Sequence, residues 1–154
     1  MSTEDNKIII RRLIEETWTR GNLALADEVL TTSFVRHGPT AEGEVRGREG
    51  LKRLVTMYRT TYPDLRVRVE EQVAEGALVV TRWTAQGTHR GELMGIAPTG
   101  KPITVAGVII DRMTSGKIEA EWAYYDVMGM LQQLGAANVI RRAASPRLYR
   151  KAAA

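Results

Sequence analysis

Few side chains in this sequence can take a proton from carbon or polarise a carbonyl. Cysteine is absent, which removes thiolate nucleophiles, thiolate metal sites and disulfides. Two histidines, His37 and His89, are too few for a three-histidine zinc site. What remains is acid/base chemistry by carboxylate, imidazole or phenol, which needs a titratable group inside a pocket. Glu121, Tyr125 and Asp126 stand close together late in the chain. Alternation predicts a strand near 117–125, with Glu121, Ala123 and Tyr125 on one face and Trp122 and Tyr124 on the other. Glu121 is a candidate base, with an ion pair to an arginine at a pocket rim as the alternative. Asp126 precedes a short helix signal, so it is either a pocket carboxylate or an N-cap, and a cap would lower its pKa. His37 lies in a turn-rich stretch and could donate to a carbonyl or shuttle a proton, or be a surface histidine. His89 ends a strand beside Arg90 and reads as a rim residue.

The elements that must carry these residues follow from periodicity. Ile10, Leu13, Ile14 and Trp18 predict an amphipathic helix over 8–18, ended by Gly21. A short second helix spans 23–30, with Asn22 as its cap, and a third runs near 49–61 with Leu51, Leu54, Val55 and Tyr58 as its stripe. Residues 31–50 read as turns because of Gly38, Pro39, Gly43, Gly47 and Gly50. Pro63 stops the third helix. The period then becomes two. Leu65, Val67 and Val69 open a strand, and longer strands follow near 77–89, 102–112 and 117–125, with a turn at Ser115-Gly116. Met128–Leu134 is a last short helix. Three helices followed by a run of antiparallel strands indicate an α+β fold, whose twisted sheet can leave a cavity against the helices.

The chain has 154 residues, enough for one domain. We place that domain at 1–135 and a basic tail at 136–154. The net charge of +4 resides in that tail, which carries Arg141, Arg142, Arg147, Arg150 and Lys151 and no acidic residue. The body is therefore not positively charged, and nucleic acid is not an expected partner. The first residues are polar and no apolar run suits a membrane helix, so a cytoplasmic chain with no membrane association is expected.

Four segments resemble the SnoaL-like polyketide cyclases, also called ester cyclases, of the nuclear-transport-factor-2-like superfamily. They are Gly47-Arg48-Glu49-Gly50-Leu51 leading into Tyr62-Pro63-Asp64-Leu65, then Gly91 to Ile103 with its Gly95-Ile96-Ala97-Pro98-Thr99-Gly100 loop, then Asp111-Arg112 with Gly116-Lys117-Ile118, and finally Glu121-Trp122, Tyr125-Asp126 and Gly129 to Gly135. The resemblance implies a cone-shaped α+β barrel, a curved antiparallel sheet wrapped over three N-terminal helices, and a homodimer. It implies metal-free, cofactor-free aldol ring closure by an Asp on the last strand, assisted by a His on the preceding one. At those two positions this chain has Ala123 and Ile109.

The resemblance also implies that the Ala123 position faces the cavity, which brings Glu121 and Tyr125 to the same side. It makes the first and third helices cavity walls, so Trp18 and Tyr58 line the pocket. It places a polar, substrate-facing residue near His37. Trp83 is expected to be buried on its strand, and Met57 and Met94 offer adaptable apolar surface at the pocket or its mouth, or fill gaps in the core. The expected substrate site therefore comprises Trp18, Met57, Tyr58, Trp83, Met94, Ile109 and Ala123, with Glu121, Asp126, His37 and Tyr125 as the acid/base candidates. The expected activity is cyclisation or isomerisation of an apolar, carbonyl-bearing small molecule. The alternatives are a non-catalytic binding protein on the same fold and an epoxide-opening reaction by Asp111, Arg112 and Asp126. The last is disfavoured because Asp111-Arg112 is expected outside the pocket.

Overall fold

The computed structural model describes residues 1–39 and 43–136. The basic segment expected as a tail lies outside the described residues from position 137 onward. A long first helix starts as α1 (Thr3–Arg12) and continues as a wider π-helical segment, Leu13–Thr19. It begins earlier than periodicity indicates because Ser2 and Asp5 form a reciprocal capping box. Ile10, Leu13, Ile14 and Trp18 are buried, as their spacing requires. Helix α2 is Leu25–Val29, and its N-cap is Ala24 rather than Asn22.

The stretch read as turns holds two strands, β1 (Leu30–His37) and β2 (Val45–Arg46). Helix α3 (Gly47–Thr61) ends at Tyr62, which precedes Pro63 and has left the helical region at φ −124°, ψ 83°. Then come β3 (Arg66–Glu75), β4 (Leu78–Thr88), β5 (Pro102–Thr114), β6 (Lys117–Tyr125) and α4 (Val127–Gln133). Ser115 and Gly116 both take positive φ in the tight β5–β6 turn.

The strands form one sheet in the order β2-β1-β6-β5-β4-β3, curved and unclosed, with the helices on its inner side. It is antiparallel except where β1 runs parallel to β6, a departure from the all-antiparallel expectation that follows from the unread strand β1. The fold is the expected mixed α+β architecture. Inward positions alternate with solvent-facing ones: Val79, Thr81, Trp83 and Ala85 on β4 are buried, while Arg82 is exposed and paired with Glu71. Among the described residues no helix is long and apolar enough to cross a membrane.

Asp126 caps α4, accepting from the Gly129 N–H at 2.8 Å. Replacing it with alanine is expected to lower stability by about 1 kcal/mol, read by urea denaturation. A loss of several kcal/mol would show that the carboxylate does more than cap.

Candidate active site

The curved sheet and the helices enclose a cavity with an almost wholly apolar wall. The first helix contributes Ile14 and Trp18, α3 contributes Tyr58 and Tyr62, and the sheet contributes Trp83, Ile109 and Tyr125 among others. One charged side chain lines it, Arg36 from β1. Arg36 is inward because β1 alternates: Phe34 and Arg36 face the core, and His37 faces away. Its guanidinium carbon lies 5.4 Å over the Trp18 ring. Its Nη1 donates to Glu121 Oε2 at 2.5 Å, with both side chains almost fully buried. Burial works against the charge on Arg36, but Glu121 outweighs it and keeps the guanidinium protonated.

The Tyr58 and Tyr125 hydroxyls meet at 2.5 Å. Tyr58 packs against Trp18, and Tyr125 against Trp83, both at ring distances of 6.0 Å. Burial, reinforced by Tyr125, raises the pKa of Tyr58 above the usual phenol range and pushes Tyr62 up to about 12. Both phenols are therefore proton donors at neutral pH. Arg36 Nε, Trp83 Nε1 and the Tyr62 hydroxyl are buried with no hydrogen-bond partner among the described residues. Two of these are pure donors and the third can donate, so the set is matched to an oxygen acceptor.

Of the residues named from sequence, Trp18, Tyr58, Trp83, Ile109 and Tyr125 line the cavity together. Ala123 and Glu121 are buried on the inward face of β6 without lining the cavity, and Glu121 is held behind its wall by Arg36. The rest lie elsewhere. The His37 ring stacks on Trp122 at 5.5 Å on the outward face, with its Nδ1 3.5 Å from Glu44. Its parity on β1 puts it there. Met94 sits at positive φ in the tight Leu93–Ile96 turn and is half exposed. Met57 packs half-buried against the core without lining the cavity. Asp126 is occupied at the start of α4.

Asp111, Arg112 and Asp126 do not converge: Arg112 is exposed and paired with Glu119, whereas Asp111 is buried. His89 is likewise fully buried rather than at a rim, its Nδ1 accepting from the Thr99 N–H at 3.1 Å. Sequence reasoning missed Arg36, Tyr62 and the burial of Asp111. Reading Phe34 and Arg36 as one face of a strand would have found the first.

The family profile described as "SnoaL-like polyketide cyclase" matches residues 8–134. The chain belongs to this family. It is 27% identical over 140 residues to the aklanonic acid methyl ester cyclase DnrD of Streptomyces peucetius, covering 88% of this chain and 92% of that one. It is 28% identical over 113 residues to the nogalonic acid methyl ester cyclase of Streptomyces nogalater, covering 71% of this chain and 82% of the relative. Among solved structures, IdmH of Streptomyces antibioticus superposes with a TM-score of 0.74 at 33% identity, over 84% of this chain and 98% of IdmH. A protein of Jannaschia sp. CCS1 reaches 0.80 at 23% identity, over 87% and 94% of the two chains, a likeness of fold.

Proposed function

We propose that the chain is a cofactor-independent enzyme that closes or isomerises a ring in an apolar, carbonyl-bearing metabolite of polyketide type. The observation that carries this reading is the convergence of Arg36 and the Tyr58–Tyr125 hydroxyl pair in an otherwise apolar cavity. A proton leaves the carbon beside a substrate carbonyl and passes to Glu121, the carboxylate that the cavity-lining Arg36 holds just behind the wall. The electron pair of that C–H bond moves onto the carbonyl oxygen, where the phenolic O–H groups and the guanidinium stabilise it. The resulting carbanion attacks a second carbonyl and closes the ring. The new alkoxide then takes up the proton that Glu121 accepted, which restores the carboxylate, so the product is an isomer of the substrate. The relatives named as methyl ester cyclases support a methyl ester of a polyketide acid as the substrate type.

The test is incubation of the protein with aklanonic acid methyl ester or nogalonic acid methyl ester, followed by chromatography with mass detection. The expected result is a new species of unchanged mass. Tyr125→Phe is expected to lower kcat by about 10²–10³-fold while the melting temperature stays close to native. Full turnover in that variant would take the hydroxyl pair out of the mechanism.

A second reading is a ligand-binding protein without turnover. It is favoured by Ala123 and Ile109, which are apolar where the resemblance implies a catalytic Asp and His, and by the engagement of Glu121 with Arg36. Thermal stabilisation by such an ester with no isomer formed over long incubation would support it.

A further inference from the structure

Asp111 is a buried ionisable group for which the mechanism above has no use. It is 1% exposed, and neither of its carboxyl oxygens has a hydrogen-bond partner among the described residues. A register shift between Arg112 and Met113 sets it directly across from Glu121 on β6. Directly opposed residues of neighbouring antiparallel strands have Cβ atoms about 5 Å apart. On the other side β4 places Val79 opposite Asp111, which cannot ionise. Among the described residues, the charges that act on Asp111 are those of Glu121 from β6 and Arg36 from β1. The neighbouring Arg112–Glu119 pair points outward into solvent. Two carboxyl groups thus share one buried cation, and Arg36 already engages Glu121 at 2.5 Å. A second buried negative charge would have no counter-charge, so one carboxyl keeps its proton.

We propose that Asp111 is a positioning residue that holds the one proton of the Asp111–Glu121 carboxyl pair, so that the Arg36–Glu121–Asp111 trio carries no net charge and the Arg36–Glu121 ion pair is kept. Burial, and then the charge of Glu121, raise the pKa of Asp111 well above the usual carboxylate range, in the same direction. The role given to Glu121 rests on the acid/base reading above; the retention of the proton by Asp111 does not. When Glu121 accepts the substrate proton, both carboxyls become neutral. The charge of Arg36 is then uncompensated while the substrate oxygen becomes negative. Loss of the Asp111 proton at high pH would instead leave two carboxylates against one guanidinium and weaken oxyanion stabilisation.

The sign of the stability effect is fixed. The unfolded chain releases the Asp111 proton near about pH 4, and the native chain holds it to higher pH. Between those points unfolding releases a proton, so native stability falls as pH rises. Asp111→Asn keeps a neutral donor opposite Glu121 and abolishes that release. Its melting temperature is expected to approach that of the native chain near about pH 4 and to exceed it by a growing margin toward neutrality.

The native chain gives a second measurement. In a sample labelled at the aspartate carboxyl carbons, the signals of Asp5 and Asp64, whose hydrogen bonds lower their pKa values, should show ionised carboxylates at neutral pH. That of Asp111 should keep its protonated shift at neutral pH. Where turnover is present, kcat/KM should fall on the alkaline side in the native chain, and Asp111→Asn should retain activity there. An Asp111 signal at its ionised shift at neutral pH, or a variant destabilised equally at all pH values, would overturn the proposal. Failure of the ester assay with a protonated Asp111 carboxyl would overturn only the acid/base reading.

Discussion

Replacing Arg36 with methionine is expected to destabilise the chain by about 3–5 kcal/mol and to abolish turnover. The side chain is about 4% exposed and is the counter-ion of Glu121. Removing one partner of a buried pair leaves the other charge in a medium that solvates it poorly, and that loss exceeds the net worth of the pair itself. Here the loss is greater at higher pH, because Glu121, deprived of its counter-ion, can escape the penalty only by taking up a proton. The double variant Arg36→Met/Glu121→Gln removes both charges and is expected to recover most of the stability and none of the activity. Urea denaturation at constant m value separates the two effects. A single-variant loss below about 1 kcal/mol, the range of exposed pairs, would mean that the pair is solvated and that the cavity lacks the electrostatics proposed for it. The same physics applies to Glu121→Gln, which strands Arg36. Inactivity in that variant is informative only alongside its measured stability.

The trio also marks where sequence reading stopped. The helices, β3 to β6, the Ser115-Gly116 turn and the stop at Pro63 were legible because each is a local signal: a period of 3.6 or 2, or a backbone preference. Trp18 and Tyr58 fall in the wall because their helices are legible and the family resemblance makes those helices cavity walls, while the strand pattern alone predicts only that Trp83 is buried. β1 was not, since glycine and proline at 38–50 dominate the stretch and Leu30–His37 has no clean alternation: Thr32 and Ser33 are both exposed before Phe34 turns inward. With β1 unread, the parity that sends Arg36 in and His37 out was invisible. Asp111 was hidden by a different cause. Counting back from the turn pairs Thr114 with Lys117, and an unbroken count would then align Asp111 with Ala120. The bulge between Arg112 and Met113 moves it onto Glu121. No local pattern announces such a bulge, yet it brings the two carboxyls together.

Gly107→Ala is expected to close the cavity. Gly107 is the strand partner of Trp83 and lies on the inward face of β5 between Val105 and Ile109. A Cβ there would overlap Trp83 Cζ2 and stand 2.6 Å from the backbone oxygen of Tyr124. Two responses are open. The indole swings off β5 into the space it now walls, or the β5–β6 ladder spreads. The first fills the pocket, and the second disturbs Tyr125, the next residue on β6. Either should cost about 1–3 kcal/mol of overpacking and abolish ester binding. The altered indole environment should be visible in near-ultraviolet circular dichroism. Adding Trp83→Leu relieves the ring contact but not the contact with the backbone oxygen, so the double variant should regain only part of the stability. Gly76→Ala is the control. Its Cβ meets nothing within 4 Å, although φ is +55°, so it should carry only the modest cost of a left-handed alanine and leave binding intact. Normal ester binding by Gly107→Ala would show that the Trp83 indole does not shape the site, and the cavity could not then be the chamber in which the substrate is held.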